Sequence, residues 1–290
     1  SKGQEKFYMT HKRSRIEIID AAKCIAIFMV ILGHTATNDE LFGNPPMLFR
    51  ILYSIHMPLF FFLSGLSIAP KKQDNWLLFI RKNILTIAIP YLIWALIYCN
   101  FSFENLEWIL YGSWQGLART GTVTSLWYLA CLFSARILVQ VIIAFVRDGS
   151  RLMYLIPAVL CMLVGVLFPY IEIGYPWCIN ISFVASGFIL LGIAVKNGVL
   201  LYVFTLFICG GELGIMMMCV GDYLNPYYSL IFALSGGFAV LVLSMILKRM
   251  ANEWLSGFNL KPVVYIGQHT MGLFLLHKPM LQSIFMPAFG

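Results

Sequence analysis

Long apolar runs, separated by short polar connections, recur along the whole chain. A helix needs about 20 predominantly apolar residues to cross the hydrocarbon core of a bilayer. On that basis the pattern predicts nine spans, at roughly 18–36, 47–69, 77–99, 125–146, 152–170, 177–195, 198–220, 226–247 and 264–287. The last is the weakest, because Gly267, Gln268, His269 and Pro279 interrupt it. One connection is long: residues 100–124, with Trp108, Trp114 and several glycines. Connections of that length are often functional. The pattern divides the chain into a polar, basic tail at 1–15, with no cleavable leader in it, and one transmembrane domain at 16–290. No internal repeat stands out.

The polar positions then orient the spans. Lys12, Arg13 and Arg15 precede the first, and Lys71, Lys72, Arg81 and Lys82 surround the second turn. Arg147, Arg151, Lys196, Lys248, Arg249 and Lys261 mark every second connection thereafter. The alternate connections, such as TNDELFGNPP and GDYLNP, are acidic or neutral. This is a positive-inside pattern with the N-terminus in the cytoplasm. Composition agrees: 60% of residues are apolar and 11% charged, with mean hydropathy +0.82, against about 25% charged in a soluble domain. A soluble enzyme, a nucleic-acid binder and a disordered scaffold are thereby set aside, and the net charge of +7 reports topology. The expected class is an all-α, polytopic transmembrane helix bundle. The seven cysteines show no CxxC and no zinc spacing, so no metal is expected.

Ionisable residues inside spans are costly and usually face a cavity or a partner. In the first span Lys23 and His34 are eleven residues apart. At 100° per residue they share one helix face, about 16 Å apart along the axis. Asp20, three residues before Lys23, is placed to pair with it. His56, Glu212 and His277 fall at a similar outer depth on three further helices, and Arg136 lies near the middle of the fourth span. Trp127 and Tyr128 begin that span on the outer side. Lys23, Arg81 and Lys82 are placed to converge on an anion at the cytoplasmic end, although Arg81 and Lys82 also satisfy the topology rule by themselves. A polar path from a basic inner region to an outer His/Glu cluster suits a small-solute transporter or exporter using these groups as a relay. It equally suits an enzyme that takes a charged donor from inside and serves an acceptor outside.

Five phrases, in order, carry a family resemblance. IDAAKCIAIFMVILGH at 19–34 is similar to the Arg-x10-His first-span motif of the membrane-bound acyltransferase-3 family, with Lys23 at the Arg position. HMPLFFFLSG at 56–65, RKNILTIAIPYLIW at 81–94, SLWYLACLF at 125–133 and IGQHTMGLFLLHKP at 266–279 resemble its later motifs. The nearest branch is similar to fucose 4-O-acetylase, where Lys is an accepted variant. The family carries ten spans where nine are counted here, so nine to ten are expected.

The resemblance implies an O-acyltransferase of a cell membrane, most simply the bacterial cytoplasmic membrane. It would move acetyl from acetyl-CoA to a hydroxyl of an extracytoplasmic glycan or other envelope molecule. Lys23, Arg81, Lys82 and Arg136 would then serve the polyanionic donor, and Trp127, Tyr128 and His277 the acceptor. His34 would act as general base or as a transient acyl carrier, with Glu212 and His56 as its catalytic neighbours. No nucleic acid is expected as a partner.

Overall fold

The computed structural model describes residues 2–35, 47–101, 104–120, 124–146, 150–195, 216–217, 222–223, 239–249 and 260–285. The elements are helical apart from one minimal ladder. Helix α1 spans Lys2–Thr35, so the polar segment and the first apolar run form one helix of 34 residues, about 51 Å long. Helix α2 is Met47–Ser67 and α3 is Trp76–Tyr98. Two short helices follow in the long connection, α4 at Leu106–Tyr111 and α5 at Trp114–Arg119. Then come α6 at Thr124–Phe145, α7 at Arg151–Val166 and α8 at Pro176–Val195. Residues 239–249 form α9, Lys261–Gln268 α10 and Thr270–Phe285 α11.

By length and composition, α3, α6 and α8 are each able to cross a membrane. They match the third, fourth and sixth predicted spans within two residues. Three spans differ from expectation. Helix α7 stops at Val166 rather than 170, because Pro169 disfavours helix at the residues before it. The ninth predicted span is two helices broken at His269, whose backbone departs from the helical region. The seventh, 198–220, lies outside the described residues except for Met216–Met217. That pair is extended and joins Asp222–Tyr223 in a two-residue antiparallel ladder, where the hydropathy pattern had helix.

Helix α8 is the centre of the packing and lies against α2, α6 and α7. Its contact with α2 depends on glycine: a Cβ at Gly65 would run into the Ile189 carbonyl, and one at Gly192 into that of Phe62. Small residues permit such close backbone approach between membrane helices. Helix α1 packs on α2, α10 and α11, and its fully buried Ala22 and Ala26 form the matching small-residue stripe.

Helix α3 is not uniform, because Ile84–Ala88 forms a π-turn. Pro90 follows and cannot donate to the carbonyl of Thr86, which loosens the ladder at that point. The C-terminal half of α3 is then tied down. The Tyr91 hydroxyl donates to the Ile109 carbonyl at 2.6 Å, and that of Tyr98 donates to the Leu275 carbonyl of α11.

The long connection is docked rather than loose. Ser113 Oγ donates to the Ile173 carbonyl at 2.6 Å, and the Tyr111 hydroxyl to that of Gly174 at 3.0 Å. Gly174 sits at φ +69°, and a Cβ there would also strike Gln115. Cys178 Sγ donates to the Gly112 carbonyl. The described part of the long connection, 104–120, and the 167–178 connection therefore form a single cap over one end of α3, α6 and α8.

Candidate active site

The chemistry-bearing end of α1 is its last turn, which contains His34. The negative end of the helix dipole there favours a cation, so it stabilises an imidazolium formed at His34. The Tyr53 hydroxyl of α2 lies 3.1 Å from His34 Nδ1. The His277 ring of α11 lies 4.9 Å from the His34 ring, centroid to centroid, at 35°. The Tyr53 ring in turn meets His56 edge-on at 5.0 Å. Three predicted histidines and one unpredicted tyrosine thus form one cluster drawn from three helices.

The partners fix tautomers. His56 Nδ1 and His277 Nδ1 both face backbone carbonyls, those of Leu52 and Phe274. A carbonyl only accepts, so each Nδ1 carries the proton. At His34 the partner is a hydroxyl, which both donates and accepts. When Nδ1–H donates to the Tyr53 oxygen, Nε2 is the unprotonated nitrogen, the form a general base or nucleophile requires. The Nδ1–Tyr53 hydrogen bond of His34 survives a change of tautomer, whereas the Nδ1–carbonyl bonds of His56 and His277 do not.

At the other end of the same face, Lys23 Nζ lies 3.5 Å from Asp20 Oδ1. The pairing at i, i+3 is the one the spacing predicts. Asp20 Oδ2 also accepts from Gln268 Nε2 at 3.1 Å. Below it Gly267 lies so close to the Asp20 backbone that no Cβ fits. The Lys23 side chain keeps 26% of its surface exposed against 6% for Asp20, so its ammonium retains donors for a further anion. Ile27 and Val30 are fully buried on the face between Lys23 and His34. A continuous polar path therefore does not run along α1 itself.

A sequence profile described as an acyltransferase domain, acyltransferase-3, matches residues 16–289. The chain belongs to the acyltransferase-3 family. With three apolar helices of spanning length, it is a membrane acyltransferase. Comparison with curated proteins and with solved structures returned no match.

The remaining predicted residues of this acyltransferase are distributed unevenly. Tyr128 is buried, with its ring 5.2 Å from Phe61 and 5.0 Å from Phe274, and Phe274 lies 5.4 Å from His277. Tyr128 is therefore joined to the histidine cluster through Phe274. Trp127 is buried beside it. Arg136 is half-buried two turns further along α6. Arg81 and Lys82 are exposed in the N-terminal part of α3 and make no ion pair with Asp20 of α1. Glu212 lies outside the described residues. No group of His, Cys, Asp and Glu among the described residues is arranged to hold a metal ion.

Two residues were missed. Tyr53, the partner of His34, has a signal in hindsight: it precedes His56 by three residues, which places both on one face of α2. Ser125 lies just before Trp127, and its buried hydroxyl has no hydrogen-bond partner among the described residues. Nothing in SLWYLACLF marks it.

Proposed function

We propose that this protein is a multi-pass O-acyltransferase of a cell membrane, with nine to ten spans and its N-terminus in the cytoplasm. It takes acetyl from acetyl-CoA on the cytoplasmic side and gives it to a hydroxyl of an extracytoplasmic glycan or related envelope molecule. A place in the branch similar to fucose 4-O-acetylase belongs to the same proposal. The observation that carries it is the joint placement of His34 and Lys23. One helix face presents a histidine bonded to Tyr53 at one end and a lysine with spare donors at the other.

In the direct mechanism, His34 Nε2 accepts the proton of the acceptor hydroxyl as that oxygen attacks the thioester carbonyl. The C–S bond breaks, the thiolate leaves, and the proton on His34 neutralises it. Tyr53 holds the imidazole in the base-competent tautomer, and the dipole of α1 stabilises the transient imidazolium. Lys23 binds a donor phosphate as a point charge, with Arg81, Lys82 and Arg136 adding positive potential. Trp127, Tyr128 and His277 shape the acceptor side, with His56 and Glu212 as catalytic neighbours. In the alternative mechanism His34 Nε2 itself takes the acetyl group and then releases it to the hydroxyl.

The test uses the purified protein in nanodiscs with acetyl-radiolabelled acetyl-CoA and an envelope-glycan extract as acceptor. Acetyl transfer by wild type, lost in His34→Ala, is the expected result. A folded wild type that neither binds nor cleaves acetyl-CoA overturns the donor assignment. Label retained on denatured wild type but absent from His34→Ala selects the acyl-enzyme route.

A further inference from the structure

A small cavity of about 40 Å³ lies beside the histidine cluster, lined by Phe60 of α2, Tyr128 of α6, and Thr270, Met271 and Phe274 of α11. Its position follows from the helices that form it. On α2, Phe60 comes one turn after His56, in the direction of the Lys23 end. On α11, Phe274 precedes His277 by three residues and touches its ring, while Thr270 and Met271 lie one to two turns further back. Helix α10, immediately before, meets α1 at Asp20 through Gly267. From both sides, then, the cavity falls between the level of Lys23 and that of His34. The intervening face of α1 is itself closed by Ile27 and Val30.

The lining is mostly aromatic and aliphatic, with the Tyr128 and Thr270 hydroxyls as its polar groups. The space is half open, and its mostly apolar lining favours an apolar group. A water occupies a share of about 30 Å³, so the space suits on the order of one or two methyl-sized groups.

We propose that this cavity receives the alkyl end of the transferred acyl group, and that Tyr128, Phe274 and Thr270 set its maximum length. The inference rests on the donor assignment above and adds to it a chain-length rule: two- and three-carbon acyl groups are accepted, and longer ones are refused. The thioester carbonyl lies at the histidine side and the alkyl end points into the cleft. The aromatic walls exclude length by shape, while His34 and Lys23 act on every donor alike.

The experiment compares acetyl-, propionyl- and butyryl-CoA as donors for the nanodisc-embedded protein. Wild type should turn over acetyl- and propionyl-CoA and fall in kcat/KM at butyryl-CoA by about 10–200-fold, the cost of one methylene misfitted to a hydrophobic pocket. Phe274→Ala lengthens the cleft and should raise the butyryl-to-acetyl ratio at least tenfold. Thr270→Leu shortens it and should lower the propionyl-to-acetyl ratio. If Phe274→Ala does not fold, Met271→Ala, at a partly exposed wall, reads the same ratio. Acetyl transfer that persists in folded variants with an unchanged chain-length preference overturns this inference alone. No turnover of any donor by folded wild type overturns the donor assignment and the cavity assignment together.

Discussion

Lys23 takes its nearest partner from its own helix, three residues back, whereas His34 takes its partners from α2 and α11. The Asp20–Lys23 pair can form wherever α1 is helical. The His34 cluster exists only after three helices have assembled. The anion-binding end is thus locally encoded and reinforced by Gln268 of α10, while the reactive end is a product of tertiary packing. A lesion at either end should leave a different kinetic signature.

The largest expected effect is at His34. His34→Ala should lower kcat for acetyl transfer by at least about 10²-fold, the lower end of what a positioned base contributes, with the protein still folded by circular dichroism. Tyr53→Phe comes next. It keeps the ring that meets His34 and His56 but removes the hydroxyl that orders the His34 tautomer. It should lower kcat by about 10–100-fold, in line with the cost of a misplaced catalytic group, and leave donor KM nearly unchanged. A rise in KM with constant kcat would show that Tyr53 serves binding instead.

Lys23→Ala should do the reverse and raise donor KM by about tenfold or more, since a charged hydrogen bond contributes about 1.5–3 kcal/mol. Lys23→Arg should preserve most of the affinity. Equal losses in both variants would remove Lys23 from the donor site. Gly267→Ala is the mildest. Its methyl collides with the Asp20 backbone and forces α10 away from α1, an overpacking cost of about 1–3 kcal/mol. A lowered melting temperature with kcat per folded molecule intact would show that this contact supports the Lys23 end without controlling the chemistry.

This difference also explains how much could be seen from the residues alone. The helical class follows from run length, and α3, α6 and α8 begin and end within two residues of the hydropathy pattern. The shared face of Lys23 and His34, and the pairing of Lys23 with Asp20, follow from helix periodicity. Depth was legible too: His34, His56 and His277 were expected at one level, and they meet there. Their contacts were not legible, because periodicity says which face a residue occupies and nothing about which helix lies opposite. Tyr53 was missed for that reason, as was the closure of the α1 face by Ile27 and Val30. The break at His269 was hinted at by its polar neighbours, but the close approach of Gly267 to Asp20 depends on two segments 247 residues apart.

The π-turn in α3 has a consequence for chain length. A π-turn accommodates one residue more than the α-helical turn it replaces. The extra residue is absorbed at Ile84–Ala88, so Arg81 and Lys82 before it and Tyr91 and Tyr98 after it keep the faces an uninterrupted helix would give them. Removing one residue within 84–88 restores a plain α-helix and leaves both halves in register. The same deletion a turn later would rotate Tyr98 by about 100°, carrying its hydroxyl away from Leu275. The span therefore contains one position at which its length can change by a single residue without altering what either end touches.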